Sequence, residues 1–289
     1  MAKSKLSVVG GNYVLTAPIE GNESLRKVSG VNESNGVFSK NFPRGRFIST
    51  KKAITDAVAR HREGVDVVVS GMSGYSELGA ERCTALNIQP GRYESLASSL
   101  LISSLRAQKR EIRGINARLV YGSSGVGVDL VTQNVAAKEG IPLLGFTCPE
   151  YLWWVSNESV GPTICICRDE AEYCKQYVGA LDILFAANGG EVSFNMDLLA
   201  ATRMHKRVIG LNVLQTLGAN TPAYTPEGKV ADAIGALNYG LSIIDLGSVV
   251  VTRSPDPFPA IKQRFCETVV GITRGLVSGS RAYPTEDSN

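Results

Sequence analysis

Two glycine segments flanked by hydroxyl side chains are the residues whose types and spacing suit chemistry best. The first reads Gly122-Ser123-Ser124-Gly125-Val126-Gly127, the second Asn188-Gly189-Gly190-Glu191-Val192-Ser193. Where such a segment joins a strand to a helix, N–H groups at the helix start lack partners and carry partial positive charge. Glycine removes the Cβ that would keep an anion away. Two such turns at one edge can hold a phosphate and the rest of a nucleotide, with Ser123, Ser124 and Ser193 as hydroxyl donors. The competing reading makes the glycines plain strand-to-helix turns, and matched placement of two segments weighs against it. A third segment, Ser70-Gly71-Met72-Ser73-Gly74, is expected to be a loop, and adds Gly71, Ser73 and Gly74 to the candidate ligand-binding residues. Thr147 and Glu150 follow another apolar run, and Glu150 can accept hydrogen bonds from a ribose.

The elements that must position these residues alternate. Strand-like runs are Leu6 to Val9 with Tyr13 to Leu15, Val65 to Val69, Ala117 to Tyr121, Ile141 to Phe146, Pro162 to Cys167, Leu181 to Ala186 and Arg207 to Val213. Helical patterns cover Lys51 to Glu63, Tyr93 to Ile112, Val128 to Glu139, Asp169 to Val178 and Ser193 to Met204. Two further stripes run through Val230, Ala233, Ile234, Leu237 and Leu241, and through Ile261, Phe265, Val269 and Ile272, with Ser248 to Val251 a late strand between them. Residues 20–46, rich in Gly, Asn, Ser and Glu, read as loop or mobile arm. Strand–helix alternation predicts an α/β, Rossmann-like fold: a mostly parallel sheet with helices on both faces, binding at the carboxyl ends of its strands.

The nucleotide patterns separate the possibilities. The first segment spaces its glycines G-x-x-G-x-G, not G-x-G-x-x-G, and no acid follows the next strand until Glu150. That disfavours a dehydrogenase. No G-x-x-x-x-G-K-[ST] occurs, which excludes a P-loop NTPase.

Residues 65–215 resemble the LOG-type fold of the wider SLOG group, proteins that bind nucleotides or cleave their N-glycosidic bonds. The group's strand and loop L-V-Y-G-G-G-x-x-G-L-M-G is matched by Leu119-Val120-Tyr121-Gly122-Ser123-Ser124-Gly125-Val126-Gly127. Its D-A-F-I-A-L-P-G-G-x-G-T-x-E-E is matched by Asp182 to Met196, with Asn188-Gly189-Gly190 at the glycine turn. The group's hydrolases carry a Glu where this chain has Asn195, and an Arg beside a Lys where it has Cys174 before Lys175. The resemblance therefore implies a nucleotide-binding protein, a sensor or sequestering protein for a nucleoside phosphate or an ADP-ribose-like ligand. The alternative is a phosphoribohydrolase acting on nucleoside 5′-monophosphates. A cationic ribosyl centre needs a carboxylate nearby, and Glu191 or Asp197 would supply it. A third reading is an assembly protein that reuses the fold.

Other constellations carry less. Cys165 and Cys167 share a strand face, and with Cys148, Cys174 or His205 a metal site can be drawn. Without a C-x-x-C pair, structural thiols are the better reading, so neither metal nor separate cofactor is expected. His61 reads as part of a solvated helix face and His205 as a cation at a helix end. Tyr151, Trp153 and Trp154 follow the third strand of the alternation, where an aromatic ring can stack on a base.

The chain has 289 residues and a net charge of +3, too weak to imply nucleic acid as a partner. No apolar run is long enough to span a membrane, and the short run at Leu6 to Val9 is no signal peptide, so a cytoplasmic location is expected. The expected organisation is an arm over 1–64, the Rossmann-like domain over 65–278 and a mobile tail over 279–289, assembled as a homodimer or larger homo-oligomer around a small-molecule nucleotide.

Overall fold

Two glycine turns organise the start of the chain. Gly10 and Gly11 have φ of 54° and 82°, Asn35 and Gly36 of 49° and 74°. Two consecutive positive φ values define the tight hairpin turn whose twist suits antiparallel strands. The first turn joins β1 (Lys5–Val9) to β2 (Asn12–Pro18), the second β3 (Asn32–Ser34) to β4 (Val37–Pro43). They form an antiparallel sheet in the order β1-β2-β4-β3. The loop expected over 20–46 is therefore corrected: Asn35-Gly36 is a hairpin signal, and β4 buries alternate residues Phe38, Lys40 and Phe42.

The computed structural model describes residues 4–28, 30–74, 83–84, 87–155, 161–187, 197–211 and 257–282. After β4 come β5 (Phe47–Ile48), α1 (Lys51–His61), β6 (Val67–Ser73), α2 (Arg92–Glu111), β7 (Asn116–Tyr121), α3 (Gly127–Glu139) and β8 (Leu143–Thr147). Then follow β9 (Thr163–Ile166), α4 (Glu170–Ala180), β10 (Ile183–Ala187), α5 (Leu199–Arg203), β11 (Arg207–Leu211) and α6 (Pro257–Ala282). Helix starts are locally encoded. Thr50 caps α1 by accepting the Ala53 N–H, and Asp169 caps α4 by accepting the Glu172 N–H.

Seven strands form one parallel sheet in the order β11-β10-β6-β7-β8-β9-β5. From β6 the chain lays β7, β8 and β9 on one side, then returns to place β10 and β11 on the other. Strand order thus reverses between β6 and β10, and sheets of this kind bind ligands past the carboxyl ends of such a pair. Leu100, Leu101, Val135, Phe265 and Val269 of α2, α3 and α6 pack on one face of the sheet. Ile54, Tyr177, Val178 and Ala201 of α1, α4 and α5 pack on the other. This is the predicted α/β, Rossmann-like architecture.

The antiparallel sheet is seated against one end of the parallel one: Phe38, Phe42 and Phe47 share a core with Leu152, Trp153, Val155, Ile164 and Ile166. The segment Ser70 to Gly74 is not the loop expected. β6 continues to Ser73 because partners lie on both sides, with Gly71 in register with Val120 and Leu184. Helix α6 runs to Ala282, beyond Gly279 where a mobile tail was expected to begin. The stripe at Val230 to Leu241 and the late strand at Ser248 to Val251 lie outside the described residues.

Gly71 tests how tightly this sheet is covered. A Cβ there would meet Leu181 Cδ2 at 2.7 Å, the Tyr177 hydroxyl at 3.0 Å and the Val120 carbonyl at 3.1 Å. Gly71→Ala is expected to cost about 1–3 kcal/mol of stability, read by urea unfolding. A neutral result would mean that α4 stands off the sheet.

Candidate functional site

The first glycine segment follows β7 and turns into α3. Asp129, in the first turn of α3, folds back over it and accepts the N–H of Gly122 at 2.8 Å and of Ser124 at 3.1 Å. Between them Ser123 has φ 64°, left-handed backbone that costs a non-glycine residue roughly 1–2 kcal/mol. The two bonds flanking it hold that conformation. The Gly125 N–H donates to the Trp154 carbonyl at 2.8 Å. The concavity of N–H groups that could take a phosphate is filled by the chain's own carboxylate.

The glycines have the same explanation. A Cβ at Gly122 would meet Asp129 Oδ2 at 2.8 Å and the Tyr173 hydroxyl at 2.9 Å. One at Gly74 would meet Val128 Cγ1 at 2.9 Å, Ala187 Cβ at 3.1 Å and the Tyr93 hydroxyl. Gly71 faces Leu181 and Tyr177, and Gly125 the Trp154 carbonyl. These positions make room for the protein's own groups. Gly71, Gly74, Gly122 and Gly125 thus each have a packing reason to lack a side chain, whatever binds nearby.

A second carboxylate lies beside the first. Asp197 precedes α5, and its Oδ2 accepts from Ser73 Oγ, the last residue of β6, at 2.6 Å. Burial raises its carboxyl from the ordinary 3.8 to about 7; the Ser73 bond opposes this and the charge of Asp129 adds to it. Burial likewise raises Asp129 to about 6, against the pull of its two N–H bonds. Tyr173 and Tyr177 stack 5.8 Å apart at 4° beneath the pair, and Tyr177 donates to the Met72 carbonyl. Burial, together with the charges of Asp197 and Asp129, holds both phenols well above their usual range.

Ser73 and Asp197 meet where strand order reverses, and Gly122 and Ser124 lie past the end of the neighbouring β7, bonded to Asp129. Asp197 Oδ1 and Ser124 Oγ are buried there with no hydrogen-bond partner among the described residues. Gly127 opens α3, and Thr147 is buried at the end of β8. Glu150 is exposed beyond β8. Asn188, Gly189, Gly190, Glu191 and Ser193 lie outside the described residues. Of the two tryptophans, Trp153 is buried and donates to Ser4 Oγ, whereas Trp154 is 43% exposed.

Sequence reasoning missed Asp129, Tyr173 and Tyr177. An acid in a first helical turn is a common dipole partner, and only the fold shows this one turned back onto the loop. His61 departs from its expected solvated face: its Nε2 lies 3.0 Å from the Leu119 carbonyl, and burial lowers it to about 4. Burial raises Cys165 and Cys167 to about 12, which keeps both as thiols. Among the described residues no cluster of three or more His, Cys, Asp or Glu could hold a metal ion. None of their helices is long and apolar enough to cross a membrane.

No family model matches the chain, and no curated protein matches it. Among solved structures, the molybdenum cofactor carrier protein of Chlamydomonas reinhardtii is 16% identical over 71% of this chain and 98% of that one, with a TM-score of 0.40. The molybdenum cofactor binding protein of Rippkaea orientalis is 15% identical over 72% and 98%, also at 0.40. TM1055 is 14% identical over 49% and 72%, at 0.32. Likeness at this level assigns no ligand.

The raised Asp197 has a consequence for stability. Between about pH 4 and 7 the folded chain keeps a proton there that the unfolded chain releases. The stability this contributes is complete below the unfolded value and is lost as pH rises through the folded one. Asp197→Asn removes the titration. Relative to the parent it is expected to gain about 2–4 kcal/mol between about pH 4 and about pH 8 in urea unfolding. Parallel curves for the two proteins would refute the burial.

Proposed function

We propose that the carboxyl-end edge of β10, β6 and β7 binds a nucleoside phosphate or an ADP-ribose-like ligand, and that the chain is a sensor or sequestering protein for it. One observation carries this reading. Asp197 Oδ1, beside the β6–β10 switch point, and Ser124 Oγ, past the end of β7, are buried with no hydrogen-bond partner among the described residues. A buried polar atom left unpaired costs roughly 1–3 kcal/mol, which a ligand offering donors would recover. Ribose hydroxyls and base N–H groups are such donors. In this reading the phosphate goes to the second glycine segment of the sequence, residues 188–193, because at the first it would meet the Asp129 carboxylate.

A second reading is favoured by Asp197 alone. A carboxyl raised to about 7 exchanges its proton near neutral pH, as acid–base catalysis requires. In an N-glycosidase it would sit beside the cationic ribosyl centre and activate the attacking water.

Calorimetric titration with nucleoside monophosphates and ADP-ribose tests the binding. Asp197→Asn is expected to weaken affinity roughly tenfold or more, as loss of a charge-assisted hydrogen bond does. Gly190→Asp, which sets a carboxylate at the second turn, is expected to weaken it about a hundredfold, some 2.7 kcal/mol. No binding of any of these ligands at millimolar concentration would overturn the proposal. Release of free base by the parent and not by Asp197→Asn would establish the glycosidase instead.

A further inference from the structure

Lys40 stands where an apolar residue belongs. In β4 the inward positions are Phe38, Lys40 and Phe42, and Lys40 is only 2% exposed. Burial lowers its ammonium from 10.5 to about 8, and no carboxylate among the described residues raises it. An ammonium taken out of water without a counter-charge is costly, and the Phe42 ring 5.7 Å away compensates only in part. A Met would fill the same space without that cost. What the cation does have is one short bond: Nζ donates to the Trp153 carbonyl at 2.8 Å.

That carbonyl belongs to the single helical turn Leu152–Trp154. The next carbonyl along, of Trp154, accepts the Gly125 N–H at 2.8 Å. Two successive carbonyls are therefore held, one by Lys40 and one by the glycine segment. Leu152, Trp153 and Val155 are embedded in the core they share with Phe38 and Phe42.

We infer that Lys40 is a positioning residue: through the Trp153 carbonyl it fixes the Leu152–Trp154 turn, and through the Trp154 carbonyl that turn fixes Gly125 and the loop presenting Ser124. The proposal rests on the ligand reading above only for its effect on binding; the clamp itself is a property of the unliganded chain. A side chain that merely filled space would leave the Gly125 amide alone when replaced by another of its size.

Amide hydrogen exchange, resolved by residue in the full chain, tests this. In Lys40→Met the Gly125 amide is expected to exchange roughly tenfold faster, the loss of about one hydrogen bond, while Phe185 in β10 keeps its rate. Lys40→Gln, which keeps an N–H donor without the charge, is expected to retain the Gly125 protection, and it carries the test if the Met variant does not fold. Unchanged Gly125 exchange in folded Lys40→Met, or lost protection in Lys40→Gln, would overturn the clamp. With adenosine monophosphate as probe, Lys40→Met is expected to bind roughly tenfold more weakly. A parent that binds no nucleotide, with Gly125 exchange accelerated as described, would defeat the ligand reading and leave the clamp standing.

Discussion

The carboxylate of Asp129 lying across the N–H groups of Gly122 and Ser124 is the constraint around which this end of the molecule is arranged. A buried anion needs donors close by, and backbone N–H groups at the start of a helix supply them. In satisfying itself the carboxylate fixes Ser123 in left-handed backbone, turns Ser124 inward and leaves no room for a side chain at residue 122. The Tyr173 hydroxyl comes close to the same glycine, and the stacked Tyr177 reaches the Met72 carbonyl in β6. Asp197 then shares the low-dielectric space, and the charge of Asp129 makes it harder to ionise. The electrostatic character of this strand edge is therefore that of an acceptor.

Sheet topology decides where that character is expressed. The β6–β10 pair marks the reversal of strand order, and Ser73 closes β6 at that edge. Helices α2, α3 and α6 cover one face and α1, α4 and α5 the other, so polar groups have open space chiefly past the strand ends. At that edge Asp129 is held by two backbone N–H groups and Asp197 by the Ser73 hydroxyl. The residues behind them, such as Tyr177 and Phe146, are packed edge to ring.

Much of the fold was legible because strands buried on both faces leave near-continuous apolar runs. Leu181 to Ala186 and Ala117 to Tyr121 are of that kind, and β10 and β7 lie on them. The antiparallel sheet was less legible. Its inward row contains a lysine, so β4 lacks a clean alternation, and its polar turn residues resemble those of a loop. The packing role of the glycines was illegible for a different reason. Spacing shows that a Cβ is absent but not what would have met it, and at Gly122 the obstacles are Asp129, seven residues on, and Tyr173, in another helix. Asp197 could be named from the sequence as a carboxylate near the second turn. Its pairing with Ser73 could not, because that contact spans 124 residues of chain.

The short strand β5 gives the chain a particular problem of timing during synthesis. Phe47 pairs with Ile164, and Phe38 and Phe42 rest on Leu152, Trp153 and Ile164, all more than a hundred residues further on. Hairpins close within microseconds, so β1 to β4 can form as soon as they leave the ribosome. At about 5–20 residues per second, their aromatic face then waits roughly 5–25 seconds for the surface that will cover it. Through that interval the nascent chain presents an apolar, strand-bearing patch with no native partner yet made. Lys40, at the centre of the patch, is a charge set among the phenylalanines and opposes the pairing of two such faces from neighbouring chains.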